Sequence, residues 1–186
     1  MAKLIGIDYG AQMSGKTVIA CLTNKGVSFL QVHPKKHTDT WLINQLQNLN
    51  PETVYIDAPL SLPLAYTGQG DNFHYRKADE LTKAMSPLFL GGLTARAMSL
   101  KHRFASIRFV EIYPAYFQSQ IIQSPFYKKD IRLFLHDLNK KEPILCDKIP
   151  QNWHQVDALL ALVIGIRHQE NRHLEVGNPT EGIIVL

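Results

Sequence analysis

Cysteine is scarce in this chain: Cys21 and Cys146 are the only two among 186 residues, and they lie far apart. Their number and spacing suit neither a disulfide framework nor a cysteine-ligated zinc site, and are compatible with a reducing cytosol. Long apolar runs are scarce as well. The longest, Ala158 to Ile166, is far below the ~20 residues that span a bilayer, so no membrane association is expected. The chain start offers no apolar export segment with a small-residue cleavage site, since Met1-Ala2-Lys3 leads directly into a strand-like run; a cytoplasmic protein is expected. Internal repeats and low-complexity tracts are also missing. What remains reads as one domain, 1–186, long enough to bury a core.

The net charge of +4 is unevenly spread. Between Asn72 and Arg108 stand seven basic residues (Arg76, Lys77, Lys83, Arg96, Lys101, Arg103, Arg108) against the acidic Asp79 and Glu80, whereas the rest of the chain holds thirteen basic and fourteen acidic residues. A local positive excess of this kind attracts phosphate or other anions, and it is also what a solvated basic face looks like.

Periodicity gives a coarse order of elements. Leu4 to Asp8, Thr17 to Leu22 and Val27 to Val32 read as three strands, the last two joined by the turn Asn24-Lys25-Gly26, so an antiparallel meander is expected. Trp41, Leu42, Leu46 and Leu49 recur at helical spacing before Asn50-Pro51. Val54 to Asp57 then reads as a strand parallel to the first. From about 60 to 106 the pattern is irregular and reads as an insertion, with helices at 74–85 and up to about Lys101, and a loop through Ser86-Pro87 and Gly91-Gly92. Ile107 to Ile112 is a further strand, Pro114 opens a helix, 127–147 is charged and helical in part, and a last helix covers Trp153 to His168.

Gly10-Ala11-Gln12-Met13-Ser14-Gly15-Lys16-Thr17 matches the phosphate-loop pattern G-x-x-x-x-G-K-[ST], which would make the chain a nucleotide-binding enzyme. That mechanism needs a helix beginning at the lysine, so that its N-terminal amides hold the phosphates. Thr17 to Leu22 is instead β-branched and reaches a turn within seven residues. A hairpin loop with a solvated Lys16 fits this segment better.

Acidic residues stand at the ends of the candidate parallel strands: Asp8, Asp57 and Glu111. An unpaired carboxylate is costly to bury, and sites in open sheets form at the carboxyl ends of parallel strands, so the three are expected to share one crevice. Asp157 interrupts the apolar stripe Trp153, Val156, Leu160, Ala161, Ile164 and joins them, with His154 three positions earlier as a proton shuttle or a helix-start residue. Four carboxylates in one place repel unless cations neutralise them, and hard oxygen ligands select Mg2+ or Mn2+. The expected chemistry is metal-dependent cleavage of phosphodiester bonds in nucleic acid, DNA or RNA, by Asp8, Asp57, Glu111 and Asp157. Arg96, Lys101 and Arg103 are the candidate backbone contacts, with Lys16 as a further substrate contact. The rival expectations are the nucleotide enzyme using Gly10 to Thr17, and a non-catalytic nucleic-acid or protein binding module.

The order of elements resembles the ribonuclease H-like fold: an α/β mixed sheet, with the antiparallel meander and the parallel strands flanked by helices. More closely, Gly6-Ile7-Asp8-Tyr9-Gly10, Tyr55-Ile56-Asp57-Ala58-Pro59, Arg76-Lys77-Ala78-Asp79, Val110-Glu111-Ile112-Tyr113-Pro114 and Asp157-Ala158-Leu159 resemble the family called domain of unknown function 429, whose members are labelled predicted nucleases. The resemblance implies that Asp8 is a shared metal ligand, that Asp57 and Asp157 complete the ion sites, and that Glu111 is a further ligand or orienter. It also implies that Arg76 and Asp79 pair with each other or line the cleft. Gly6 to Gly10 is similar too to the phosphate-loop strand of actin-like ATPases and sugar kinases, but those need two such domains.

Overall fold

The computed structural model describes residues 4–186. Its first three strands, β1 (Leu4–Asp8), β2 (Val18–Thr23) and β3 (Gly26–Gln31), form the expected meander. The β2–β3 turn closes with the Thr23 hydroxyl donating to the Gly26 carbonyl at 2.8 Å, and Gly26 takes a φ of 116° that a side chain would disfavour. Helix α1 (Thr38–Leu49) buries Leu42 and Leu46 and stops at Asn50, left-handed at φ 43°, just before Pro51. It returns the chain to β4 (Thr53–Asp57), which pairs parallel with β1 and then with β5 (Arg108–Glu111). The sheet order is β3-β2-β1-β4-β5, with β2 antiparallel to β1. That is the ribonuclease H-like topology.

Between β4 and β5 the chain carries one 3-10 turn, Leu64–Thr67, and three helices: α2 (Lys77–Thr82), α3 (Pro87–Leu90) and α4 (Gly92–Arg103). The single helix expected over 74–85 is shorter because Lys83 turns left-handed and ends it. The loop expected at Ser86-Pro87 is instead the start of α3, with Ser86 accepting from the Leu88 amide and Pro87 at the first helical position. After β5 come α5 (Pro114–Phe117), a π turn at Gln118–Ile122, α6 (Ile131–Lys141) and α7 (Trp153–Gln169). A final hairpin, β6 (Glu175–Asn178) and β7 (Gly182–Val185), has no counterpart in the sequence reading; β7 meets the outer edge of β5 at one bridge, Ile112 to Val185.

The pleat divides the core. Ile5, Ile7, Val54, Ile56 and Phe109 face α1 and α4, whereas Leu4, Tyr55, Val110 and Ile112 face α7. Helix α7 is buried on every side from Val156 to Gly165, not only along one stripe, because its outer surface is covered by α5 and α6. Its backbone rests on β1 at Gly6, where an added Cβ would lie 2.3 Å from the Leu162 nitrogen and 2.5 Å from the Ala158 oxygen. No described helix is long and apolar enough to cross a membrane.

Candidate active site

Asp8 and Asp57 end adjacent parallel strands and are direct partners in the register, so the pleat sends both side chains to the α7 face. The close seat of α7 on Gly6 brings the start of that helix over them. His154 Nδ1 lies 2.8 Å from Asp8 Oδ2. Asp157, one turn further on and 6% exposed, accepts from the Tyr127 hydroxyl at 2.7 Å and forms an ion pair with Lys128. The Lys128 ammonium also lies over the Tyr127 and Trp153 rings, 5.0 and 5.6 Å from their centroids.

Asp57 differs from its neighbours: among the described residues no hydrogen bond or ion pair reaches its carboxylate. Burial, then the charges of Asp8, Asp157 and Glu111, push its carboxyl well above the ordinary 3.8. Asp8 is raised for the same first reason, with His154 opposing and Asp157 adding to the rise. Asp8 and Asp57 are therefore adjacent carboxylates held under electrostatic stress, with Asp157 and its partner Lys128 beside them.

Glu111 reaches the same crevice from the other side of the pleat. Its register partner is Ile56, not Asp57, so its side chain leaves β5 on the α4 face. Both of its oxygens are engaged by Arg76, at 2.7 and 2.6 Å, and the Leu60 amide donates a third bond at 2.8 Å. Arg76 is fully buried, and its guanidinium bonds also to Asp79 and to the Ser61 hydroxyl, so all five of its N–H groups have acceptors. Burial pushes Arg76 toward losing its proton, but the bonds to Glu111 and Asp79 outweigh that and hold it above its ordinary value. Both oxygens of Glu111 are thus engaged, which suits the orienting role among the two the resemblance implies, and Arg76 and Asp79, the latter 1% exposed, pair with each other while Asp79 also lines the crevice.

Arg96 is likewise engaged. It grips Asp39 through Nε and Nη2 at 2.8 and 2.6 Å, donates to the Gly10 carbonyl, and lies over the Tyr9 ring. Burial alone would raise the Asp39 carboxyl, but the Arg96 and Tyr9 bonds hold it below 3.8. The resulting stability is complete above about pH 4 and is lost as the pH falls through the lowered value. Asp39→Asn is expected to cost about 1 kcal/mol at pH 7, a deficit that shrinks toward pH 3 in urea unfolding curves; a constant deficit would contradict the pairing.

Arg103 is exposed in a groove with Arg96 and Tyr9, and Lys101 in another with Arg108; neither lines the crevice itself. The two grooves adjoin the crevice, one at Tyr9 and the other at Glu111. Lys16 is exposed on the β1–β2 loop. No helix follows it: the Thr17 hydroxyl is buried, accepts from the Gly10 amide at 2.9 Å and closes the loop, and β2 begins at Val18. The phosphate-loop expectation thus lacks the helix its mechanism requires. Tyr127 and Lys128 escaped the sequence reading because 127–147 showed only charge, and the left-handed Lys128, φ 60°, has no local sequence signature.

No protein-family model matches the chain, the family its motifs resemble included, and no curated protein matches it. Solved structures do match. RuvC of Thermus thermophilus, both in complex with a Holliday junction substrate and in a second structure, aligns over 94% of this chain and 98% of that one, at 11% identity and a TM-score of 0.47. The fold itself rests on the strand order. It is ribonuclease H-like.

Proposed function

We propose that this protein is a divalent-metal-dependent phosphodiesterase acting on flexible, single-stranded nucleic acid. The observation that carries the reading is the unpartnered Asp57 carboxylate between Asp8 and Asp157, a hard-oxygen donor set with excess negative charge and no arginine to absorb it. Their hard oxygens have the donor chemistry for Mg2+ or Mn2+, and Asp8, Asp57 and Asp157 are the residues that would hold it, once side-chain rotations bring together oxygens that do not all lie within 4.8 Å of one another. Such an ion supplies Lewis acidity toward the scissile phosphate and makes water a stronger nucleophile near neutral pH.

The chain's own groups do the rest. Tyr127 donates to Asp157 and fixes its rotamer, and His154, with Nδ1–H directed at Asp8, keeps Nε2 to accept a proton from the attacking water. Glu111 and Arg76 are positioning residues that brace the opposite wall. Leu90, Leu93, Met85 and Tyr113 line the crevice, about 230 Å³, which suits an unpaired base or sugar and is too small for a duplex. The adjoining grooves bring Arg103 and Lys101 to the backbone on either side.

Cleavage of labelled single-stranded and duplex oligonucleotides tests the proposal. The single strand is expected to be cut faster, with chelator abolishing the reaction and Asp8→Asn slowing it by roughly a hundredfold or more. Equal rates in wild type and Asp8→Asn would remove the mechanism. Nucleic-acid binding indifferent to chelator and to Asp57→Asn, with no cleavage, would make the protein a binding module.

A further inference from the structure

A second cluster of ligating side chains lies away from the carboxylates. Helix α7 ends beyond His168, the chain turns back through the left-handed Asn171 (φ 55°), and His173 and Glu175 follow as the chain enters β6. The turn brings the His168 and His173 rings edge to face, with centroids 4.3 Å apart. One ligating atom from each of His168, His173 and Glu175 lies within 4.8 Å of the others.

Of the three, His173 is the one short of hydrogen-bond partners. Among the described residues His173 makes no hydrogen bond: its Nδ1 is buried without a partner, and its Nε2 is 3.6 Å from Glu175 Oε1, beyond hydrogen-bond range. His168 Nδ1 lies 3.0 Å from the Tyr55 hydroxyl. With Nδ1–H donated there, Nε2 is unprotonated and the ring is oriented, the outer-shell arrangement that metal-binding histidines need. Arg108 and Lys101 line the same groove and oppose a cation; Glu175 and the carbonyls ending α7 act against them.

We propose that His168, His173 and Glu175 form a transition-metal site of the zinc class, distinct from the carboxylate site. Two imidazole nitrogens and one carboxylate oxygen make a borderline donor set that favours Zn2+, and Co2+ as its spectroscopic substitute, over Mg2+. Ligands about 2.0–2.2 Å from an ion stand ~3.3 Å apart in a tetrahedron, so side-chain rotations draw the three together when the ion binds. A fourth position stays open to solvent. The ion would fasten the end of α7 to the terminal hairpin, whose β7 bridges Ile112 and so borders the crevice wall.

The experiment is a Co2+ and Zn2+ titration of the full chain, read by visible d–d absorption, by bound metal after dialysis, and by melting temperature. Wild type is expected to bind one Co2+ with a four-coordinate spectrum and to melt higher with Zn2+. His173→Gln and Glu175→Gln are each expected to weaken binding at least tenfold, and Tyr55→Phe, which keeps the ring, about tenfold. Asp57→Asn, folded and with its carboxylate site disabled, is expected to keep the Co2+ spectrum, so this proposal fails or stands apart from the phosphodiesterase reading. Equal Co2+ affinity in wild type and His173→Gln, with both folded by circular dichroism, overturns it, as does a spectrum lost only in Asp57→Asn.

Discussion

Asp57→Asn is expected to abolish phosphodiester cleavage and, at the same time, to raise the melting temperature of the metal-free protein. The two effects have one cause. The carboxylate sits beside Asp8 and Asp157 without a partner, so its charge weakens the fold while it waits for a cation. Its raised carboxyl contributes stability that is complete below about pH 3.8 and is lost as the pH rises through the folded value, so the cost to the wild type grows with pH. Asparagine removes the charge at nearly constant shape. The expected gain is roughly 1–2 kcal/mol, or about 2–8 °C in a chain of this length, and it should widen between pH 4 and pH 7. Magnesium or manganese is expected to raise the wild-type melting temperature and to leave the variant's nearly unchanged. A variant less stable than wild type, or one that still gains from the ion, would mean that Asp57 is not the stressed ligand.

Arg76→Met is expected to be the most damaging change to stability. It strands Glu111 and Asp79, which are 7% and 1% exposed, with no other cation among the described residues in contact with either carboxylate. Removing one partner from a buried ion pair costs about 3–5 kcal/mol, which is roughly 6–20 °C in melting temperature for a domain of this size. Arg76→Lys is not expected to rescue it, because an ammonium cannot reproduce five N–H bonds in a fork. Adding Glu111→Gln to Arg76→Met should recover part of the loss, since one stranded charge disappears. A loss below 1 kcal/mol would show that the triad is not what holds the segment between β4 and β5 to β5.

How far each feature was legible in the sequence follows from its range. The sheet was readable because apolar, β-branched runs such as Val18 to Leu22 and Val54 to Ile56 declare strands locally, and Asn50-Pro51 declares a helix end. Asp8 and Asp57 were readable as a pair because each closes such a run. Glu111 looked equivalent and is not: a register offset of one residue turns its side chain to the other face, and register is a property of two strands, never of one. The guanidinium that occupies Glu111 comes from 35 residues away. The hairpin Glu175–Val185 was missed because its strands are four residues each and only partly apolar. His154 was visible three residues before Asp157, but its contact with Asp8, 146 positions distant, depends on where α7 lies.

That placement of α7 has a bearing on how the chain can vary. Where helix and strand meet at Gly6, main chain abuts main chain, and no side chain sets the spacing. The gap between Asp8 and the pair His154 and Asp157 is therefore gauged by atoms that every amino acid shares, like parts bolted to one plate. Leucines and isoleucines around that seam can be exchanged for one another while the reacting groups keep their alignment, provided that position 6 stays bare.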